Sequence, residues 1–110
     1  MIIVRGTTPS IVSEIPEDID MSRAVEVWFS ISQLSKLIAD DTFSNGSVAI
    51  DGQQIEIELT QEQTLALKVG VPTNIGIRIL LDDGEAFASY DPEPVVIKDI
   101  VKGGVITNGG

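Results

Sequence analysis

At 110 residues the chain has the length of one domain, and without cysteine or histidine it can build no disulfide, no thiolate or imidazole metal site and no Ser-His-Asp triad. Its net charge of −10 repels nucleic acid phosphates and anionic lipid heads, so direct binding to DNA, RNA or membrane is disfavoured. The apolar fraction of 43% is richer in Ile and Val than in aromatic residues, which favours strands over helices and suffices for one core.

The opening Met1-Ile2-Ile3-Val4-Arg5-Gly6 is apolar for only four residues, too few for a secretory leader. No run approaches the ~20 apolar residues of a membrane span. Synthesis and folding in the cytoplasm are expected, with later incorporation into a released particle left open. Ile2-Ile3-Val4 reads either as the domain's own first strand or as an edge that adds to a neighbour's sheet. A strand is expected from Thr7 to Ile15, followed by a loop over Pro16-Glu17-Asp18-Ile19-Asp20. From Ala24 to Ile31 the pattern alternates, with Val25, Val27, Phe29 and Ile31 facing the core and Glu26, Trp28 and Ser30 facing out. An outward Trp28 is either an interface anchor or is covered by a loop or the N-terminal segment.

Ser44-Asn45-Gly46-Ser47 carries the Asn-Gly hairpin cue, and Asp51-Gly52 reads as a tight hairpin between Val48-Ala49-Ile50 and Gln54-Ile55-Glu56-Ile57-Glu58-Leu59. The latter alternates strictly, with Ile55, Ile57 and Leu59 on one face. Thr60, with Gln63 three residues on, forms a capping box, so the spacing predicts one short helical turn around 61–67 that crosses between sheets and stops at Gly70 and Pro72. Ile75, Ile77 and Ile79 mark the next strand, which Asp82-Asp83-Gly84 joins to Ala86-Phe87-Ala88-Ser89-Tyr90. Asp91-Pro92-Glu93-Pro94 reads as an edge segment or a bend before Val95-Val96-Ile97. Strands recurring about every 8–12 residues between such turns predict an all-β, antiparallel sandwich of about seven to nine strands. It forms a single domain over 1–106, with 107–110 a flexible Gly-rich tail.

Carboxylates are the only abundant chemistry. A glycosidase needs two acids across a cleft, one in an apolar pocket, whereas Glu56 and Glu58 share an outer strand face. No catalytic residue and no cofactor is therefore assigned. The acidic runs Glu17-Asp18-Ile19-Asp20, Asp40-Asp41 and Asp82-Asp83-Gly84-Glu85 are read as loops that could offer oxygens to Ca²⁺, though none matches an EF-hand and turn chemistry accounts for them. Gly103-Gly104 lacks the Lys-Ser/Thr of a phosphate loop. Arg78 is a lone base on an outer face, expected to pair with an outer-face acid.

Four segments in order carry a resemblance: Gly6-Thr7-Thr8-Pro9-Ser10-Ile11; Ile19-Asp20-Met21-Ser22 before a strand ending Phe29-Ser30-Ile31-Ser32-Gln33; Leu59-Thr60-Gln61-Glu62-Gln63-Thr64-Leu65; and Asp83-Gly84-Glu85-Ala86. Their order resembles small Ig-like β-sandwich proteins of phages and prophages of Gram-positive bacteria, similar in layout to the N-terminal domains of baseplate upper proteins. The likeness spans most of the chain and is most specific at Leu59–Leu65. Asn74 and Gly76 depart from it, standing where larger outward residues would be expected. It implies an Ig-like sandwich and a non-enzymatic structural role in a particle, tail- or baseplate-associated, through contacts with other structural proteins or copies of itself. No site residue carries over. Trp28 and the run Ile2, Ile3, Val4 are the expected contact residues. The rival reading is a ligand-binding module, either carbohydrate-binding or a Ca²⁺-stabilised adhesion domain. For that, only Trp28 and Tyr90 are available as exposed aromatics.

Overall fold

Alternation along the sequence becomes alternation of burial. In the computed structural model, which describes residues 1–90 and 95–100, strand β3 (Ala24–Gln33) buries Val27, Phe29, Ile31 and Gln33. Strands β6 (Gln54–Glu58) and β7 (Thr73–Leu81) bury Ile55 and Ile57, and Ile75, Ile77, Ile79 and Leu81. β6 is the centre of an antiparallel sheet ordered β2-β6-β5, where β2 is Ser10–Glu14 and β5 is Val48–Asp51. β3 and β7 are the centre of a second antiparallel sheet ordered β4-β3-β7-β8, where β4 is Lys36–Thr42 and β8 is Ala86–Tyr90. Ile11, Val48, Ile55 and Ile57 from the first sheet share one core with Val27, Phe29, Ile31, Ile75, Ile77 and Ile79 from the second.

Hairpins stay within a sheet, and the intervening connections change sheet. β3–β4, β5–β6 and β7–β8 are hairpins; β4 to β5 crosses, and β6 to β7 crosses through the short helix α1 (Gln61–Leu65). The order β2-β6-β5 against β4-β3-β7-β8 corresponds to B-E-D against C′-C-F-G, the immunoglobulin-like arrangement, so the domain is an all-β Ig-like sandwich. Antibody domains place a core Trp on strand C, the counterpart of β3, against a disulfide. Here Phe29 takes the inward place, the packing around it is aliphatic, and Trp28 is turned out.

One pair is parallel, against the antiparallel expectation: β1 (Ile2–Val4) lies beside β9 (Val96–Lys98), with Ile3 opposite Ile97. α1 anchors this pair's end to the sandwich. Thr60 and Gln63 form the expected capping box, and the Gln63 amide also donates to both carboxylate oxygens of Asp41, 3.2 and 3.1 Å away. The Thr64 hydroxyl, fully buried, donates to the Thr7 carbonyl at 2.8 Å and accepts from the Gly6 amide at 3.0 Å. Arg5 pairs with Asp99 and donates to the Leu65 carbonyl.

Several expectations are corrected. Val25 is exposed, because the register slips between Ala24 and Glu26 and leaves it as the extra residue of a bulge. Asn45-Gly46 closes no hairpin; it turns the chain from β4 into the other sheet, with Gly46 at φ +85. Asp40 and Asp41 belong to β4 and not to a loop, with Asp40 outward and Asp41 inward. The loop after β2 ends in a 3₁₀ turn, Met21–Arg23, capped by Asp20. Asp91-Pro92-Glu93-Pro94 and the Gly-rich end, including 107–110, lie outside the described residues.

Candidate interaction surface

The seventeen acidic residues are not spread evenly. None falls in 27–39 or 63–81, segments that hold Lys36, Lys68 and Arg78, three of the seven basic residues. Those segments supply most of β3, the β3–β4 turn, the loop after α1 and all of β7. The opposite sheet is the reverse. The outer faces of β2, β6 and β5 expose Glu14, Glu56, Glu58 and Asp51, and the three strands contain no Lys or Arg. The sandwich thus has one face with four carboxylates and no base, and one on which the outward carboxylates Glu26 and Asp40 are accompanied by Arg78.

Trp28 lies on the second face. Strand parity turns it outward, and the register sets it between Thr42 on β4 and Arg78 on β7, with Ala88 of β8 beyond. The Arg78 guanidinium stands over the indole, 5.7 Å from the ring centroid, a cation–π contact that leaves Trp28 half-buried. Among the described residues Arg78 makes no ion pair, so the expected salt bridge is replaced by this stacking. Along β3 the indole has Glu26 on one side and Ser30 on the other; Ser30 lies between Asp40 of β4 and Gly76 of β7. Two depressions of about 310 and 290 Å³ lie elsewhere and are lined by Glu14, Glu17 and Asp51, and by Glu58 and Glu62.

The N-terminal run is the domain's own strand. Ile3 is 1% exposed and points into the core, Val4 is half-buried, and Ile2 stands out at 60% beside Val96. Of the three, only Ile2 is exposed.

The acidic turns are occupied by local bonding. Arg23 reaches Asp82 at 2.8 Å and Asp83 at 2.9 Å, and these carboxylates raise its pKa further. The Glu85 amide, with Arg23 second, holds Asp83 below the usual carboxylate range. Bonds from Ser22 do the same for Asp20, bonds from Ser44 for Glu26, and the Ile100 amide followed by Arg5 for Asp99. Among the described residues no three carboxylates gather as a metal-holding group. No helix there is long and apolar enough to cross a membrane.

No family model and no curated relative matches the sequence. Among solved structures, the first Ig-like domain of human CD48 antigen, determined in solution, is similar at a TM-score of 0.42 and 17% identity, over 97% of this chain and 87% of that one. At that identity the likeness concerns the fold alone.

Proposed function

We propose that the domain is a non-catalytic protein-interaction module that docks another protein on the outer face of β4-β3-β7-β8. The observation that carries this reading is outward Trp28 held under Arg78, with Ser30 and Gly76 to one side of it. Trp and Arg are the side chains most enriched where interfaces concentrate their binding energy, and the small residues Ser30 and Gly76 let a partner backbone approach closely on that side. Glu14, Glu56, Glu58 and Asp51 keep the other face in water. The partner is a structural protein of a phage or prophage particle, tail- or baseplate-associated; this finer reading rests on the four resembling segments alone.

The test is mass spectrometry of phage particles purified from the host that encodes the chain, with a photoreactive residue at position 30 or 56. Chain peptides at a fixed ratio to other tail proteins, cross-linked from position 30 to one neighbour, are the expected result. Particles without the chain overturn the particle role. Cross-links to another protein from position 56 and none from position 30 overturn the assigned face.

A further inference from the structure

The turn between β3 and β4 is built against its own preferences. Gln33 pairs with Lys36, leaving a two-residue loop, and both loop residues hold positive φ: Leu34 at +50 and Ser35 at +63. Such a turn favours Asn-Gly, because Gly has no Cβ and the Asn side chain bonds the local backbone, whereas other side chains are strained there. Leu34 is also 75% exposed, so an apolar side chain is presented to water from a strained backbone. Strain of this kind persists where function retains it. Beside it, the buried Gln33 amide accepts from the Lys68 amide at 2.9 Å and donates to the Lys68 carbonyl at 3.0 Å, which fixes the loop bearing exposed Val69 next to the turn. Leu37 is exposed on the same hairpin, Lys36 and Lys68 are exposed, and no carboxylate lies in 27–39 or 63–81. The result is an apolar tip flanked by two ammonium groups on a chain of charge −10.

The complementary surface is on the same molecule. On the outer face of β2-β6-β5, exposed Val12 lies opposite Glu56, with Glu58, Glu14 and Asp51 around it and no base. We propose that the tip of one copy seats on this acidic face of a second copy, Leu34 and Val69 against Val12 and the lysines against the glutamates. Tip on tip would juxtapose lysines, and face on face would juxtapose carboxylates, so only tip on face is attractive. Two different patches make the contact heterologous, and it extends as an open chain of copies unless the rotation closes a ring. The residues are distinct from the Trp28 face, so the two readings stand or fall separately.

The experiment is light scattering on a sizing column over a concentration series. Wild type is expected to gain mass with concentration. Leu34→Asn with Ser35→Gly relaxes the turn, so this variant is expected to melt higher than wild type and yet remain monomeric. Lys36→Glu with Lys68→Glu, and separately Glu56→Lys with Glu58→Lys, are each expected to weaken association by roughly tenfold or more. An equal mixture of these two variants is expected to associate again, since each tip then meets an opposite face. A wild type that is monomeric at every concentration overturns the proposal, as does a mixture that stays monomeric. Association that survives either charge reversal alone places the contact elsewhere and overturns it as well. Cross-linking from position 30 in the Leu34→Asn, Ser35→Gly variant reads the Trp28 face independently of all these outcomes.

Discussion

Single side chains hold the crossing between the two sheets. Thr64 satisfies the Gly6 amide and the Thr7 carbonyl with one hydroxyl, so Thr64→Val keeps the shape and leaves both backbone groups without a partner. The expected cost is about 1–3 kcal/mol, read from urea melts. Gly6 sits at φ +78, and a Cβ there would come within 2.9 Å of the Ile100 side chain. Gly6→Ala therefore costs about 1–2 kcal/mol for the left-handed backbone alone, with the contact added to it. A third prediction concerns acid. The folded pKa of Asp83 is lowered, so its contribution to stability is present above the ordinary carboxylate value and is lost as pH falls through the lowered one. Asp83→Asn should then melt below wild type at pH 6, and the gap should close progressively below about pH 4. Of these residues, the outward parity of Trp28 is legible in the sequence, but its Arg78 cover is not. Thr64 and Gln33 were equally hidden as buried polar groups, because their partners lie 58 and 35 residues away and no local pattern marks such a pairing.

At the scale of elements, legibility follows periodicity. β6 and β7 alternate strictly and are evident from the sequence, as is α1 from its capping box. β4 is not, because its doublets Leu37-Ile38 and Asp40-Asp41 break the period of two; the register irregularity at Ile31/Ser32 leaves Ile38 as the extra residue and absorbs the first of them. The Leu34-Ser35 turn is silent for a different reason: it lacks the Gly or Asn by which such turns are recognised. Asn45-Gly46 shows the converse, a strong turn signal that specifies a reversal without specifying the sheet in which the chain continues. The capping box also has more to do than start a helix. Gln63 bonds the Thr60 amide with its oxygen and Asp41 with its nitrogen, so the helix start and β4 share one side chain. Thr60→Ala is expected to cost about 1 kcal/mol as an ordinary cap. Gln63→Ala should cost more, because it also leaves the inward Asp41 without its described donor. Urea midpoints of the two variants decide between these costs.

Charge is organised over the whole molecule. Glu56 and Glu58 point the same way along β6, about 7 Å apart, with Glu14 and Asp51 on the flanking strands of the same face. That spacing is inside the Debye length of about 10 Å at 0.1 M salt and well beyond the ~3 Å of 1 M, so salt removes this repulsion. Among the described residues the opposing attractions include Arg23 with Asp82 and Asp83, and Arg5 with Asp99. These are surface pairs, each worth ~0–1 kcal/mol and screened by the same salt. Four like charges share one face of a chain at −10, so repulsion prevails at low salt. The melting temperature, measured at low protein concentration to keep copies apart, should therefore rise from 20 mM to 1 M NaCl. The rise should shrink in Glu56→Gln with Glu58→Gln, which keeps the strand and removes two of the charges. A wild type that melts lower at high salt would mean that the ion pairs outweigh the acidic face. An unchanged salt response in the double variant would mean that the repulsion is distributed over the molecule and is not concentrated on that sheet.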